Sequence, residues 1–273
     1  MRLDRADYEI DFLDMFEGDE LDRSRWVPSY LPQWGSREGS AARYVQRDGK
    51  LRLQIESDQL PWSPEHNGPL RVSNLQTGVF AGPVGSEIGQ HRFAAGLRVR
   101  EAQDEQRLYT PLYGIIEARI AAIADPNCMV ALWMIGFEDQ PDRSAEICIF
   151  EIFGRDVAAD KAVVGMGLHP FGDKRIQDDF VKVPVMLDAR EFHTYSVEWL
   201  PGEVRFFIDD GLVASMEQSP AYPMQLMLNV YEFEATAAES YPKVFEVDWV
   251  RGWRPASDTP SISTCGHSTP AAL

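Results

Sequence analysis

Short segments in which apolar and polar residues alternate recur along most of the chain. Residues 43–55, 113–123 and 193–216 show this period of two most clearly, and few segments show the helical period. Alternation of this kind is typical of β-strands that bury one face and expose the other. The pattern therefore predicts an all-β protein in which two antiparallel sheets pack face to face.

Turn residues join these segments into hairpins. Asp48-Gly49, Pro201-Gly202 and Asp210-Gly211 each lie between two alternating segments, and residues of these types are preferred in tight turns. Two longer connections interrupt the pattern: residues 58–71 are rich in Pro and Gly, and residues 81–109 are Gly-rich and then charged. We expect both to be extended loops, which at this length are often functional.

One predicted strand, AEICIFEIFG, carries two glutamates. Strict alternation places Glu146 and Cys148 on one face and turns Glu151 to the other. A β-bulge at Ile149 or Phe150 would return Glu151 to the face of Glu146. The two carboxyls would then lie roughly 5–7 Å apart, given the rise per residue of a strand, close to the spacing of about 5–5.5 Å in retaining glycosidases. The alternative is that both are ordinary solvent-facing residues of an amphipathic strand.

Composition narrows the class of protein. At 273 residues with 44% hydrophobic content, the chain is long enough for one large β-sandwich, which we place at residues 1–255. Residues 256–273 are rich in Ser, Thr, Pro and Ala, which predicts a flexible tail. The net charge of −17 argues against nucleic-acid binding, because such a chain offers no basic stripe for phosphates.

Membrane insertion is not predicted, because no apolar run approaches the ~18–20 residues needed to span a bilayer. The N-terminal segment lacks the apolar region of a secretory signal, so the expectation is a cytoplasmic protein, or a secreted one if a signal has been removed. Cys128, Cys148 and Cys265 do not have metal-type spacing, and we expect the first two to be buried thiols. We further expect a monomer that requires no cofactor.

The strand at 146–151 resembles the active-site strand of glycoside hydrolase family 16, which that family writes as Glu-(Ile/Leu)-Asp-(Ile/Val/Phe)-x-Glu with the same bulge. The resemblance implies a concanavalin A-like β-jelly-roll of two antiparallel sheets with a concave sugar-binding cleft. It gives Glu146 the role of nucleophile and Glu151 the role of acid/base. Other matching positions are Asp14, Phe16, Gly18, Leu21, Asp22, Trp26, Thr77-Gly78, Tyr113-Gly114, Glu117-Ala118-Arg119 and Glu198-Trp199.

Cys148 occupies the position of the family's middle Asp. A neutral thiol offers only a weak donor and leaves the cluster with one negative charge fewer. The proton on Glu151 is then held less tightly, so we predict slower hydrolysis with a more acidic optimum. An alternative, in which Cys148 is itself the nucleophile, has no neighbouring His or metal motif in the sequence to support it.

By the same resemblance, Trp133, His169 and Asn229 are expected in the sugar-binding cleft, where an aromatic face suits a pyranose ring. Trp34 and Trp62 fall on predicted loops, where a large aromatic side chain needs either burial or a ligand, and we predict sugar contacts for both. The alternative for the aromatic and histidine side chains is a place in the core.

A structural calcium is a further option that the resemblance implies. Asp248 matches the Asp that many relatives use for it, and Gly49 would supply a backbone carbonyl, a ligand type that suits this cation. For the whole chain the resemblance implies a retaining endo-β-1,3- or mixed-linked β-glucanase with a polysaccharide substrate. Two alternatives stay open: a catalytically impaired, lectin-like polysaccharide-binding protein, suggested by Cys148, and a transglycosylase.

Overall fold

The structure, a computed structural model, describes residues 1–256. Strands dominate it, together with one short α-helix and three 3₁₀ segments. The strands are β1 (Tyr8–Asp14), β2 (Arg43–Arg47), β3 (Lys50–Ile55), β4 (Arg71–Gln76), β5 (Gly78–Val79), β6 (Gln106–Arg107), β7 (Gly114–Ala121), β8 (Cys128–Gly136), β9 (Glu146–Phe153), β10 (Ala162–His169), β11 (Asp179–Val185), β12 (His193–Leu200), β13 (Glu203–Ile208), β14 (Gly211–Met216), β15 (Met224–Glu232) and β16 (Lys243–Pro255). The helix α1 is Pro64–Asn67, and the 3₁₀ segments are Pro32–Trp34, Gly154–Asp156 and Ala238–Ser240.

Two antiparallel sheets form a sandwich, as the alternating pattern predicts. One sheet has the order β14-β13-β12-β7-β16-β3-β2, with β1 paired to the C-terminal part of β16. The other has the order β11-β10-β9-β8-β15-β4. The main apolar core lies between them and includes Phe150, Tyr195 and Phe245, whose ring contacts join strands of the two sheets. Burial of such side chains is the main favourable term that holds the sheets together.

Loops cover part of the outer face of the six-stranded sheet. Trp34, from the first 3₁₀ segment, and Leu97 and Val99, from the 81–109 connection, belong to a second buried cluster that includes Trp133 and Met227 on that face. The 81–109 connection contains only the two-residue strand β6, so its shape comes from packing onto the sheet rather than from its own ladder. The covering is incomplete, and a cleft remains above β9.

Turn chemistry explains the hairpins. Asp48 and Gly49 have φ of 56° and 65°, the left-handed values that a two-residue hairpin turn requires. The turn predicted at Asp210-Gly211 is displaced by one residue: Asp209 and Asp210 have φ of 47° and 63°, and Gly211 begins β14. Asp tolerates this region because its short carboxylate can bond nearby backbone N–H groups.

Within residues 1–256, no helix is long and apolar enough to cross a membrane. Cys128 and Cys148 are buried free thiols in this part of the chain, as predicted. The predicted tail, residues 256–273, lies outside the described residues except for Ala256, and so does Cys265.

Candidate active site

The strand β9 runs through the middle of the six-stranded sheet, between β8 and β10. In its pairing with β8, Cys148 lies opposite Trp133 and Phe150 lies opposite Leu132, so Ile149 is the extra residue of a β-bulge. The bulge shifts the alternation by one position and puts Glu151 on the outer face with Cys148, while Phe150 enters the core. The prediction of a bulge at Ile149 or Phe150 is confirmed.

The two glutamates line a cleft of about 430 Å³ on this outer face. Glu146 is only 5% exposed and Glu151 is half-buried. Aromatic and histidine side chains form much of the surrounding wall. These are Tyr30, His91, Phe93, Trp133, His169, Phe171, Tyr231 and Phe233.

Burial affects the pKa of one member of the acidic pair, Glu151. Burial raises the pKa of Glu151, and the charge of Glu146 raises it further, while the charge of His169 opposes this. A raised pKa keeps a proton on Glu151 at higher pH, which is what a general acid needs. The environment therefore suits Glu151 to the acid role and leaves Glu146 as the candidate nucleophile.

Cys148 lies between the two glutamates with no exposed surface. Its Sγ is 3.9 Å from Glu146 Oε2, a long and weak S–H contact. Burial raises the pKa of the thiol well above its ordinary value, and the charges of Glu146 and Glu151 add to that effect. The sulfur is thus a neutral thiol near pH 7, which argues against Cys148 as the nucleophile, because the thiolate is the reactive form.

His91 is a site residue that the sequence reasoning missed. Its Nδ1 lies 2.9 Å from Glu146 Oε1, although the ring is not oriented for a well-aligned hydrogen bond within the described residues. Its ring also contacts Trp133 edge-on and lies 4.6 Å, between centroids, from Phe171. A histidine here can stabilise charge on Glu146, a role that the family sequence pattern assigns to other positions. The one sequence signal was a histidine inside a long loop without strand periodicity.

A third carboxyl, Glu138, holds His91 in place. Its Oε1 accepts a hydrogen bond from the His91 backbone N–H at 2.6 Å. Burial raises the pKa of Glu138 to about 7, and the His91 hydrogen bond opposes that rise. His91 and Glu138 both have left-handed φ, 52° and 59°, so the contact between these two loops is made by strained backbone.

The structure places His169 where the sequence predicts it, at the wall of the cleft. It lies directly opposite Glu146 in the β9–β10 pairing. Its Nδ1 is 2.6 Å from Asp178 Oδ1, and its ring stacks on Phe180. The residue therefore presents a fixed ring to the acidic pair.

Trp133 also lies in the cleft as predicted. It is 5% exposed, and its Nε1 finds no hydrogen-bond partner among residues 1–256. A buried indole N–H is normally satisfied. Among residues 1–256, the Trp133 N–H is therefore an unpaired donor at the wall of the cleft.

Asn229 is buried beneath the cleft instead of lining it, which corrects the prediction of a direct sugar contact. Its Nδ2 donates to the Tyr231 hydroxyl at 2.9 Å, and Tyr231 donates to the Tyr30 hydroxyl at 3.0 Å. Both tyrosines line the cleft. Asn229 thus fixes two cleft tyrosines that the sequence reasoning did not identify.

The two loop tryptophans are packing residues in this structure. Trp34 is fully buried, and its Nε1 donates to the Gln90 carbonyl at 2.7 Å, so the predicted sugar contact is wrong for this conformation. Trp62 is 4% exposed, with its Nε1 bonded to Asn67 Oδ1, and it packs edge-on against the cleft residue Tyr30. Both were placed on loops correctly, but these loops fold onto the sheet and bury the rings.

Asp248 and Gly49, the two candidate calcium ligands, have different surroundings in the structure. Asp248 Oδ2 accepts a hydrogen bond from Arg119 at 2.5 Å, so its charge already has a partner, and Gly49 lies in the β2–β3 turn. Among residues 1–256, the grouping of metal-type side chains occurs at Glu146, Cys148 and His169 instead of at Asp248. The calcium option remains a prediction.

The fold and the cleft together define a class of protein: an all-β sandwich that presents two acidic side chains, as glycoside hydrolysis requires, in a cleft walled by aromatic rings. Residues 105–251, more than half of the chain, match the family model for glycosyl hydrolases family 16. The chain belongs to this family, and the predicted resemblance and jelly-roll fold class are confirmed.

Two curated relatives are named as a glucanase and a glycanase. The chain is 28% identical to a beta-glucanase of Rhodothermus marinus, over 52% of this chain and 57% of that protein. It is 23% identical to the endo-1,3-1,4-beta-glycanase ExsH of Rhizobium meliloti, over 59% of this chain and 34% of that protein. The chain thus matches only about a third to just over half of the length of these relatives.

A solved structure is also similar. The GlcNAcα1-4Gal-releasing endo-β-galactosidase of Clostridium perfringens superposes with a TM-score of 0.79 at 29% identity, over 92% of this chain and 64% of that one. This relative shares the fold over nearly the whole described chain.

Proposed function

We propose that this chain is a retaining endo-glycosidase that cleaves internal β-linkages of a polysaccharide or glycan. The observation that carries the proposal is the bulged strand β9, which puts Glu146 and Glu151 on one face of a cleft walled by aromatic rings. Retaining hydrolysis needs one carboxylate as nucleophile and one protonated carboxyl as acid. The raised pKa of Glu151 supports this division of roles.

In the proposed reaction Glu146 attacks the anomeric carbon while Glu151 gives its proton to the leaving oxygen, and a covalent glycosyl-enzyme forms. Glu151, now ionised, then takes a proton from water, which attacks the anomeric carbon and releases Glu146. His91 beside Glu146 stabilises the carboxylate, and the Trp133 N–H is placed to donate to a sugar hydroxyl.

The space around the pair supports endo action. A second cleft of about 630 Å³ adjoins the first, with Phe93 and Phe171 in the walls of both. The two clefts together offer room for more than one sugar unit beside the acidic pair. Aromatic walls suit the apolar faces of such units.

A β-1,3- or mixed-linked glucan is the leading substrate class, supported by the names of the two curated relatives, a beta-glucanase and an endo-1,3-1,4-beta-glycanase. A β-galactose-containing glycan is the second candidate. It is favoured by the Clostridium perfringens endo-β-galactosidase, whose similarity covers 92% of this chain. The two classes differ in the orientation of the 4-hydroxyl, which the cleft walls must distinguish.

The test is product analysis by mass spectrometry and reducing-sugar release on laminarin, lichenan, xyloglucan, agarose, carrageenan and a glycan that carries GlcNAcα1-4Gal termini. The expected result is oligosaccharides from the first two, or a released disaccharide from the last, and none from the Glu146→Gln variant. Products equal in both proteins, or none from the native chain on any substrate, would contradict hydrolysis. Binding without cleavage would instead support the lectin-like alternative, and products longer than the substrate would support transglycosylation.

A further inference from the structure

The acidic pair shares its face of the sheet with Cys148 and His169, two residue types that commonly bind metals in proteins. Glu146, Cys148 and His169 each offer a ligand atom, and these atoms all lie within 4.8 Å of one another. The register of the sheet creates the group: His169 lies directly opposite Glu146, and Cys148 lies two residues further along the same face of β9. The paired backbones of two neighbouring strands, β9 and β10, therefore hold the three donors together.

His169 is oriented as metal-binding histidines are. Its Nδ1 lies 2.6 Å from Asp178 Oδ1, and a carboxylate can only accept, so Nδ1 carries the hydrogen. The neutral ring then offers Nε2 as a lone-pair donor. A carboxylate behind the histidine is the usual arrangement that fixes the ring and raises its basicity toward a metal.

The charge of the site also favours a cation. Glu146 is 5% exposed, and its Oε1 has no well-aligned hydrogen bond from any residue of the described chain. A buried acidic group without a full set of donors gains most from a cation, because little water remains to solvate it.

The donor set selects the type of cation. Sulfur, imidazole nitrogen and one carboxylate oxygen match zinc, whereas calcium and magnesium require oxygen ligands. From the usual metal–ligand distances, tetrahedral donors lie roughly 3.3–3.5 Å apart. The donors here need to move by about 1 Å, which rotation of the Glu146 and Cys148 side chains toward the fixed His169 ring supplies.

We propose that Glu146, Cys148 and His169 bind one thiophilic divalent cation of the zinc class, and that its binding reversibly blocks the active site. The S–H bond of Cys148 loses its proton to solvent as the metal–sulfur bond forms, and no electrons are transferred. The bound cation occupies Glu146, the candidate nucleophile. Binding does not depend on the proposed function, whereas inhibition rests on it.

The test uses the full chain carrying Cys265→Ser, so that the two described thiols are the only ones present. Zn²⁺ binding is measured by calorimetry, and Co²⁺ is titrated as a spectroscopic probe for the near-ultraviolet absorption that a cobalt–thiolate bond produces. Cys148→Ser is the site variant. Cys128→Ala is the matched control, since Cys128 is also a fully buried thiol but lies outside the group.

The expected result is one Zn²⁺ per chain and a cobalt–thiolate band in the parent and in Cys128→Ala. Cys148→Ser should lose the band and bind Zn²⁺ at least 100-fold more weakly. Asp178→Asn should weaken binding about 10-fold, the usual effect of removing a carboxylate behind a metal-binding histidine. Equal Zn²⁺ affinity in parent and Cys148→Ser, or a Co²⁺ complex without the thiolate band, would overturn the proposal.

Hydrolytic activity provides an independent test of whether the bound cation blocks the active site. If the chain hydrolyses any of the glycans above, Zn²⁺ should inhibit it and EDTA should restore it, and Cys148→Ser should require at least 10-fold more Zn²⁺. A chain that binds Zn²⁺ through Cys148 but hydrolyses nothing would disprove the proposed function and leave the metal site standing. Hydrolysis that is insensitive to saturating Zn²⁺ would disprove the blocking role.

Discussion

Each of the two sheets buries a glutamate on its outer face, and the two differ in how their charge is satisfied. Glu117, on β7 of the eight-stranded sheet, is fully buried. It accepts hydrogen bonds from Arg5 at 2.5 Å, from Trp253 Nε1 at 2.9 Å and from Ser196 at 3.4 Å. Glu146, on the six-stranded sheet, is 5% exposed and has only a 3.9 Å thiol contact and a poorly aligned histidine among residues 1–256.

The difference separates a structural carboxylate from a functional one. Burial of a charge is unfavourable unless donors replace the lost water, and Glu117 has them. Glu146 lacks most of them, which is unfavourable for stability and is the arrangement expected of the carboxylate that we propose as nucleophile. The same substitution, Glu→Gln, should therefore have opposite consequences at the two positions.

The largest effect is expected on activity at Glu146. Glu146→Gln removes the proposed nucleophile, and we expect the hydrolysis rate to fall by about 10⁴-fold or more, which corresponds to about 5.5 kcal/mol of barrier. Its melting temperature should stay unchanged or rise, because an incompletely satisfied charge is removed. Rates are measured on the substrate that the panel identifies, and melting by circular dichroism.

Chemical rescue supplies the control for that assignment. With azide, Glu151→Ala should form a glycosyl azide that retains the anomeric configuration, because azide attacks the glycosyl-Glu146 ester that still forms. Glu146→Ala should form the inverted product, since azide replaces the missing nucleophile. The reverse pair of products would exchange the roles of the two glutamates.

At Glu117 the loss is expected in stability. Glu117→Gln removes one of the two carboxylates that Arg5 contacts and leaves Asp210, 2.8 Å away, as the other. We expect the free energy of unfolding to fall by about 2 kcal/mol, the usual loss for a hydrogen bond to a charged group. Denaturant unfolding measures this value. Activity per folded molecule should stay unchanged, because Glu117 lies on the other sheet. A drop in activity without a drop in stability would show that the two faces do not divide function and structure as proposed.

The site residues that lie on strands are predicted well from the sequence, because strand periodicity and turn preferences depend on neighbouring residues. The period of two, together with a second glutamate at the wrong parity, requires a bulge at residue 149 or 150, and the structure has it at Ile149. Hairpin turns at Asp48-Gly49 and Pro201-Gly202 follow from local backbone preferences. The family pattern also predicts His169 in the cleft, and the structure adds that it lies opposite Glu146.

The positions of the site residues that lie on loops are not predicted, because they depend on packing between segments far apart in the sequence. His91 lies 55 positions from Glu146, in a connection without strand periodicity, so no local signal brings the two together. Trp34 illustrates the converse error. A tryptophan in a loop can face solvent or the sheet, and the Gln90 carbonyl that fixes it comes from that same distant loop.

Glu138 provides an intermediate case between Glu117 and Glu146, because it is buried with a single backbone donor from His91. Its pKa is about 7 in the folded chain and 4.5 as an ordinary glutamate. The folded state therefore holds this proton more tightly, and stability is lost as pH rises from about 4.5 to about 7. Glu138→Gln should remove this pH dependence, worth about 2–3 kcal/mol. Unfolding curves at pH 5 and pH 8 measure it.

The matched control is the Glu146→Gln variant, which keeps Glu138 and should retain the loss of stability between pH 5 and pH 8. If Glu138→Gln shows the same pH dependence as the native chain, another group binds the proton. The His91 loop would then be held by a hydrogen bond whose strength does not change with pH.

The smallest effect is expected from adding a negative charge at residue 148. Cys148→Asp restores the family residue and adds a negative charge beside Glu151, whose pKa is already raised by burial and by Glu146. The added charge should raise that pKa further, so the alkaline limb of the activity profile should move upward by about one pH unit. We expect about a 10-fold rise in rate near pH 7, measured as kcat/KM from pH 4 to 8.

Cys148→Ser is the control, because it changes the side chain without adding charge and should leave the alkaline limb in place. A similar gain in rate in both variants would mean that the sulfur atom itself slows the reaction. The missing negative charge would then not be the cause. No gain in Cys148→Asp would mean that His91, 2.9 Å from the proposed nucleophile Glu146, already supplies the contact that the family Asp would make. In that case His91→Ala should reduce the rate in the native chain more than any change at residue 148, and the loop would carry a function that the strand motif lacks.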